Sequence, residues 1–266
     1  MLAEPLRPAI APAHDGRQWP RKVDVLGVQV SVTNYQEATD AVIEAARRHE
    51  PALVACQAVH AVVTASCDPD LREKLNGFDL VTPDGQPVRW AMNLLHGVGL
   101  SERVYGPELM LHLCRSAADN GVSVYLYGGS PEVIERLRER LPGICPGLQI
   151  AGAESPPFRA LSPAEDEATV ERINASGAGL LFLGLGCPKQ DLFAHAHRKT
   201  IRAVQVCVGA AFDFHAGVKP MAPAWMQRHG LEWFFRLAHE PRRLWKRYLV
   251  TNTIFLARLF YVGLLR

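Results

Sequence analysis

The six cysteines of this sequence show neither of the patterns that usually give cysteine a structural role. No CxxC pair occurs, and no Cys/His cluster has the spacing of a zinc site. Most of them lie in apolar surroundings, which is typical of buried free thiols in a reducing compartment. We therefore expect neither a disulfide scaffold nor a structural zinc site. The cysteines are Cys56, Cys67, Cys114, Cys145, Cys187 and Cys207.

An excess of charge of one sign and long apolar runs are also missing. The formal net charge is +2 over 266 residues, so no overall field indicates a nucleic-acid partner. No apolar run reaches the roughly 18 residues that a membrane-spanning helix needs. Residues 1–21 are rich in Pro and Ala and lack the apolar stretch of a signal peptide, so we expect a disordered lead-in. These absences predict a cytoplasmic protein that can still contact a membrane surface.

The order of apolar patterns indicates the fold class. Hydrophobic residues make up 48% of the chain, which is ample for a globular core. Over residues 22–224, short apolar strands alternate with amphipathic helices, which predicts a Rossmann-like α/β core with a mostly parallel sheet covered by helices on both faces. Over residues 225–266, aromatic side chains are interleaved with arginines and lysines, which predicts a basic, helical appendage.

Four loops follow predicted strands and should meet at one edge of the sheet, where ligands of such folds bind. Their glycines, including Gly128, Gly129 and Gly186, permit close backbone approach, and the helices after them offer N–H groups to phosphate. A nucleotide or nucleotide-sugar site follows from this pattern. The loops match neither a P-loop nor a complete GxGxxG fingerprint. They cover residues 82–85, 127–130, 184–190 and 209–213.

Single residues in these loops allow more than one interpretation. Asp84 lies between Pro83 and Gly85 and fits either ordinary turn chemistry or a catalytic carboxylate. Gln190 fits a solvated position in the first turn of a helix or a polar anchor for a sugar or base. Lys189 fits a surface lysine or a phosphate contact. Asp213 fits a helix cap, a buried network or a ribose contact.

His60 and the appendage leave similar choices open. A lone histidine early in an apolar helix is most often a partly buried structural residue. The apolar tail over residues 251–266 fits a helix lying in a membrane interface, with its arginines toward anionic headgroups, or a segment that packs on the core or on another subunit. No acidic pair of the DxD type ends a strand, so the sequence predicts no metal site and no cofactor. Arginines and helix N-termini would then neutralise a leaving diphosphate.

Six motifs in order carry a resemblance to a known family. The stretches TPDGQPVRWA, ERVYGPEL, YLYGGSPEV, FLGLGCPKQ, VGAAFDFHAG and APAWMQRHGLEWFFRLAHEPRRLWKRYL resemble the WecG/TagA/CpsF glycosyltransferases over roughly residues 23 to 250. The resemblance implies a metal-independent, inverting enzyme of cell-surface polysaccharide synthesis at the cytoplasmic membrane face. Its donor would be a UDP-sugar and its acceptor a sugar on undecaprenyl diphosphate. The resemblance also allows a homo-oligomer.

The resemblance further implies roles for individual residues. Asp84 matches the general base, Gln190 a residue near the donor or acceptor sugar, and Arg103 an arginine of the pocket. Ala55 and Gln57 depart from a Thr-x-Asn pair that members often show, which bears on the choice of sugar. With the loop residues, the candidate substrate-binding set is Gln57, His60, Arg103, Gly128, Gly129, Gly186, Lys189, Gln190, Asp213, Arg236, Arg242, Arg243 and Arg247.

The favoured donor sugar is N-acetylmannosamine, and UDP-glucose or a UDP-uronic sugar for exopolysaccharide is the alternative within the same reaction class. Two more distant functions remain open. A Rossmann-like oxidoreductase would bind NAD(P), although its fingerprint with an acidic residue about 20 positions on is missing. A membrane-surface scaffold would use the basic, aromatic appendage to bind anionic lipid.

Overall fold

The computed structural model describes residues 19–264, apart from the side chain at position 263. The lead-in expected over residues 1–21 therefore lies mostly outside the described residues. Trp19 at its end is partly buried against the core. The expected α/β architecture is confirmed, because a six-stranded parallel sheet is covered by helices and followed by a helical C-terminal segment.

Eight strands occur in the described part of the chain, six of them in the main sheet and two in an N-terminal hairpin. They are β1 (Lys22–Val25), β2 (Val28–Ser31), β3 (Leu53–Gln57), β4 (Leu80–Pro83), β5 (Val124–Gly128), β6 (Ile150–Glu154), β7 (Leu180–Gly184) and β8 (Val204–Cys207).

Twelve helices are seen between residues 19 and 264, nine in the α/β core and three in the appendage. They are α1 (Tyr35–Arg47), α2 (Val59–Cys67), α3 (Pro69–Asn76), α4 (Gln86–His96), α5 (Gly106–Asp119), α6 (Pro131–Ile144), α7 (Pro163–Ala175), α8 (Lys189–Ala196), α9 (Ala211–His215), α10 (Ala224–Arg228), α11 (Glu232–His239) and α12 (Pro241–Leu264).

The main sheet has the strand order β4-β3-β8-β7-β5-β6, with every neighbouring pair parallel. Side chains alternate between two apolar clusters, one on each face of the sheet. Phe182 packs in one cluster, whereas Leu181 and Leu183 pack in the other. Both faces are buried, which is why the strands read as continuous apolar runs in the sequence.

Local signals fix several helix starts. Asp68 caps α3 by accepting a hydrogen bond from the Leu71 N–H, with Pro69 at the first helical position. Helix α4 was not predicted from the sequence; it begins directly after the Asp84-Gly85 turn. Its proline near the N-terminus and its amphipathic spacing are ordinary helix signals. Strand β4 therefore passes into a helix within two residues.

The appendage packs against the core along one side of its long last helix. Helix α12 contacts α2, and Phe255 packs in the same apolar cluster as α2 residues, while Leu244 nearer the start of α12 is also buried. Arg258 on α12 donates a 2.6 Å hydrogen bond to the Ser66 hydroxyl on α2. The opposite side exposes large apolar side chains, among them Leu256 and Phe260. No helix in residues 19–264 combines the length and apolarity required to cross a bilayer.

Candidate active site

Asp84 lies at the carboxyl end of β4, partly exposed, where the chain turns into α4. Its Oδ2 accepts a hydrogen bond of 3.0 Å from the N–H of Gly106, the first residue of α5. The carboxylate is therefore held at a helix N-terminus, where the helix dipole favours a negative charge. The turn and the catalytic interpretations of Asp84 are compatible, because the turn fixes the carboxylate at the edge where the other strands also end.

The surroundings of Asp84 tune its proton affinity. Burial raises the pKa of Asp84 to about 6, and the neighbouring Glu232 carboxylate adds to this effect. The Arg103 and Arg236 guanidinium groups and the Gly106 N–H act in the opposite direction. A carboxyl with a pKa close to the working pH is ionised at neutral pH and still basic enough to take up a proton.

Arg103, from the loop before α5, joins the rim of the sheet to the appendage. Its Nη2 lies 2.6 Å from Oε2 of Glu232, the first residue of α11, and both side chains are almost fully buried. The guanidinium also stacks 4.2 Å above the ring of Tyr105. Arg103 also lies near enough to Asp84 to lower the pKa of that carboxyl.

The four arginines predicted from the appendage separate into two pairs. Arg236 and Arg247 are partly buried and close to His60, whereas Arg242 and Arg243 are exposed, with Arg243 paired to Glu240 at 2.5 Å. Burial and repulsion by Arg236 and Arg243 lower the pKa of Arg247. Its Nε has no hydrogen-bond partner in the described chain. This pair of partly buried cations is chemically suited to binding an anion such as a diphosphate.

His60 lies in the first turn of α2 and faces these two arginines. Burial, followed by the charges of Arg247 and Arg236, lowers the pKa of His60 to about 4. The imidazole is therefore neutral at physiological pH. It can exchange hydrogen bonds with a polar substrate but cannot add positive charge to the pocket.

Several glycines of the strand-end loops are required by the local backbone conformation and packing. Gly128 and Gly129 have φ values of 130° and 69°, and a Cβ at Gly128 would lie 2.5 Å from the backbone carbon of Gly184. A Cβ at Gly184 would in turn lie 2.4 Å from the ring of Phe212. These residues are therefore required for close packing at the rim, in addition to any contact with a ligand.

Gln190 has its side-chain oxygen engaged inside its own loop. Its Oε1 accepts a 3.1 Å hydrogen bond from the N–H of Gly186, whose φ is 78°. Gln190 therefore shapes the loop between β7 and α8, rather than being a solvated residue of the first turn. Lys189 at the start of α8 is exposed, which agrees with the surface alternative.

Asp213 lies within α9 and forms an ion pair with Lys219 at 2.7 Å. Lys219 also lies 3.5 Å from Glu240 of the appendage. Asp213 thus belongs to a charged network between the core and the appendage. Its 26% side-chain exposure leaves it accessible to a ligand, as the third interpretation of this residue requires.

Two carboxyl groups near the site were not singled out from the sequence. Glu232 lies near Asp84 only in the folded chain. It is held there by its ion pair with Arg103, from which it is 129 positions distant in the sequence. Asp191, one residue beyond Gln190, is 3% exposed, and burial raises its pKa to about 6. Asp191 lies beside the buried amide of Gln57, which acts to lower the pKa of that carboxyl.

The side chains that commonly bind metals are dispersed over residues 19–264. No group of three or more His, Cys, Asp or Glu side chains in this range is arranged to share a metal ion. The absence of a metal from the reaction stays a prediction.

The match to a family model decides the class of this protein. The model of the glycosyl transferase WecG/TagA/CpsF family matches residues 23–265, nearly the whole chain. The chain belongs to this family. It is therefore a glycosyltransferase, as the six motifs predict, and the match includes the appendage as well as the α/β core.

One relative of this WecG/TagA/CpsF glycosyltransferase has a name that specifies its sugar and its acceptor. The chain is 32% identical over 183 residues to the N-acetylglucosaminyldiphosphoundecaprenol N-acetyl-beta-D-mannosaminyltransferase of Bacillus spizizenii. The alignment covers 68% of each protein. The name of that relative specifies a mannosamine-type donor sugar and an acceptor sugar on a polyprenyl diphosphate. The roles of the individual residues stay predictions.

Proposed function

We propose that this protein transfers a hexose-type sugar from a UDP-sugar to a saccharide on undecaprenyl diphosphate, with inversion at the anomeric carbon. The observation that carries the proposal is Asp84, a carboxyl with a pKa of about 6 that lies between the strand-end loops and the inward-facing appendage arginines. The name of the Bacillus spizizenii relative supports N-acetylmannosamine as the donor sugar. The product belongs to cell-surface polysaccharide or teichoic-acid-type synthesis.

In the proposed reaction, Asp84 takes the proton of the acceptor hydroxyl while that oxygen attacks the anomeric carbon. The bond from the anomeric carbon to the UDP oxygen breaks, and negative charge develops on the leaving diphosphate. The arginines Arg236 and Arg247 and the N–H groups at the helix N-termini stabilise that charge. Attack opposite the leaving group inverts the anomeric configuration. We also propose that no metal takes part, so that EDTA leaves the rate unchanged.

We also infer that the enzyme rests on the inner face of the cytoplasmic membrane. Helix α12 has one side on the core and exposes apolar residues on the other. Together with Leu94 of α4, they line a shallow groove of about 560 Å³. An apolar face flanked by arginines is suited to insertion among anionic headgroups. This location would place the pocket at the level of a lipid-linked diphosphate.

A donor screen tests the proposed function. The protein would be incubated with an undecaprenyl-diphosphate-linked N-acetylglucosamine acceptor and a panel of UDP-sugars, with UDP release and the mass of the lipid product as readouts. We expect release to depend on the acceptor and to be fastest with UDP-N-acetylmannosamine. Preference for UDP-glucose or a UDP-uronic sugar would change the donor within the same reaction class. Absence of acceptor-dependent release with every donor would refute the proposal.

A further inference from the structure

The charged groups around Asp84 come from both the core and the appendage. The titratable or charged groups that face it are Tyr35, Cys56, Arg103, Tyr105, Glu232 and Arg236. Two of these groups are guanidinium cations. Arg103 is the cation with the larger influence on Asp84, so its orientation decides how strongly the carboxylate is neutralised.

Arg103 does not form an ion pair with Asp84 in the described structure. Its guanidinium is taken up by Glu232 at 2.6 Å and by the Tyr105 ring at 4.2 Å. If Glu232 were neutral, Arg103 would be a buried cation without its closest counter-ion, and the nearest remaining carboxylate is Asp84. Because a buried charge strongly favours pairing, the guanidinium would turn toward Asp84. A direct pair would occupy the carboxylate oxygens and weaken the base.

We propose that Glu232 is a positioning residue of the transfer reaction: its ion pair with Arg103 keeps that arginine in the pocket while preventing it from neutralising Asp84. The appendage therefore contributes more than arginines to the site, because it also supplies the carboxylate that leaves the base of the core free. The mechanistic part of this inference rests on the proposed function, whereas the electrostatic part concerns the chain alone.

The experiment measures the titration of Asp84 directly, in the full chain without substrates. Carbon-13 NMR of protein labelled at the aspartate carboxyl would follow Asp84, with Asp84→Asn used to assign the resonance. In Glu232→Gln, which keeps the size of the side chain, the pKa of Asp84 should fall from about 6 toward its ordinary value. The fall should be smaller when the same substitution is made in an Arg103→Met background, because only the direct repulsion by Glu232 is then lost. Glu232→Asp retains the carboxylate and should restore the wild-type titration at least in part. An unchanged titration in Glu232→Gln would overturn the proposal.

A matched control separates this role from simple docking of the appendage. Arg258→Gln removes another contact between the appendage and the core, the 2.6 Å hydrogen bond to Ser66, which involves none of the groups around Asp84. This control should leave the titration of Asp84 unchanged. If Arg258→Gln moved the titration as much as Glu232→Gln does, docking alone would explain the effect and the proposal would fail.

Activity measurements distinguish this inference from the proposed function. In Glu232→Gln, we expect kcat to fall about tenfold and the acidic limb of its pH profile to move to lower pH together with the NMR titration. A wild-type enzyme that transfers sugar, with a Glu232→Gln variant whose profile is unmoved, would contradict the inference and leave the proposed function intact. A shifted NMR titration in a protein that transfers no sugar would support the electrostatic role and refute the proposed function.

Discussion

In the rim of the sheet, the candidate functional groups are backbone N–H groups and the Asp84 carboxylate, held at the ends of strands that are almost wholly buried. In the appendage, they are long arginine side chains and a glutamate on helices that are buried along one side only. The rim is therefore built to hold a fixed geometry, whereas the appendage contributes charge through groups that can reorient. Substitutions in the two regions should therefore affect activity, stability and membrane binding differently.

The largest effect is expected in the rim, from Asp84→Asn. Because the amide cannot take up the proton of the acceptor hydroxyl, kcat should fall by roughly 10²- to 10⁴-fold. Binding of the UDP-sugar should persist, since the Gly106 N–H can still donate a hydrogen bond to the amide oxygen. Rapid-quench transfer assays and donor titration by calorimetry would measure the two effects. A near-normal kcat in the folded variant would show that Asp84 is not the base.

In the appendage, Arg236→Ala should lower kcat by roughly 10- to 100-fold, because a desolvated cation is removed from the leaving diphosphate. Arg242 is the matched control, since it is an exposed arginine on the same segment. Steady-state UDP release would be compared for Arg236→Ala and Arg242→Ala. Equal losses in the two variants would mean that total basic charge matters and that the inward orientation of Arg236 does not.

The pH dependence of the free energy of unfolding would test whether the Asp191 carboxyl in the rim is buried as described. Because the folded-state pKa of Asp191 is raised to about 6, its folded form binds a proton more tightly than its unfolded form. Stability is therefore lost as the pH rises from the ordinary value through about 6. Compared with Asp191→Asn, the wild type should lose about 2 kcal/mol between pH 4 and pH 7. Urea unfolding at both pH values would show it, and parallel pH dependences in the two proteins would contradict it.

The smallest effect is expected at the exposed face of α12. Phe260→Ala should weaken binding to vesicles that contain phosphatidylglycerol by about fivefold, because an inserted apolar side chain is lost. Phe158→Ala is the control, since Phe158 is even more exposed but lies in the loop between β6 and α7. Co-sedimentation at fixed ionic strength would compare the variants. Equal weakening in both would argue against α12 as the membrane face.

The sequence predicted the sheet and the gathering of the four loops, because both follow from local patterns. Buried parallel strands appear as apolar runs, and their carboxyl ends must meet at one edge. The partner of Arg103 could not be predicted in this way, since no local pattern connects residues that are 129 positions apart. Which of Arg236 and Arg242 faces inward could not be predicted either, because it depends on how the appendage helices are rotated against the core.

The contact between Gly128, Gly184 and Phe212 has a consequence for how this rim can change in evolution. A methyl group at Gly128 meets the backbone of Gly184, and one at Gly184 meets the ring of Phe212. A substitution at Gly184 is therefore tolerated only after Phe212 has become smaller, so the order of mutations matters. The loops at this rim can vary only in concert, while the arginines of the appendage can be exchanged one at a time.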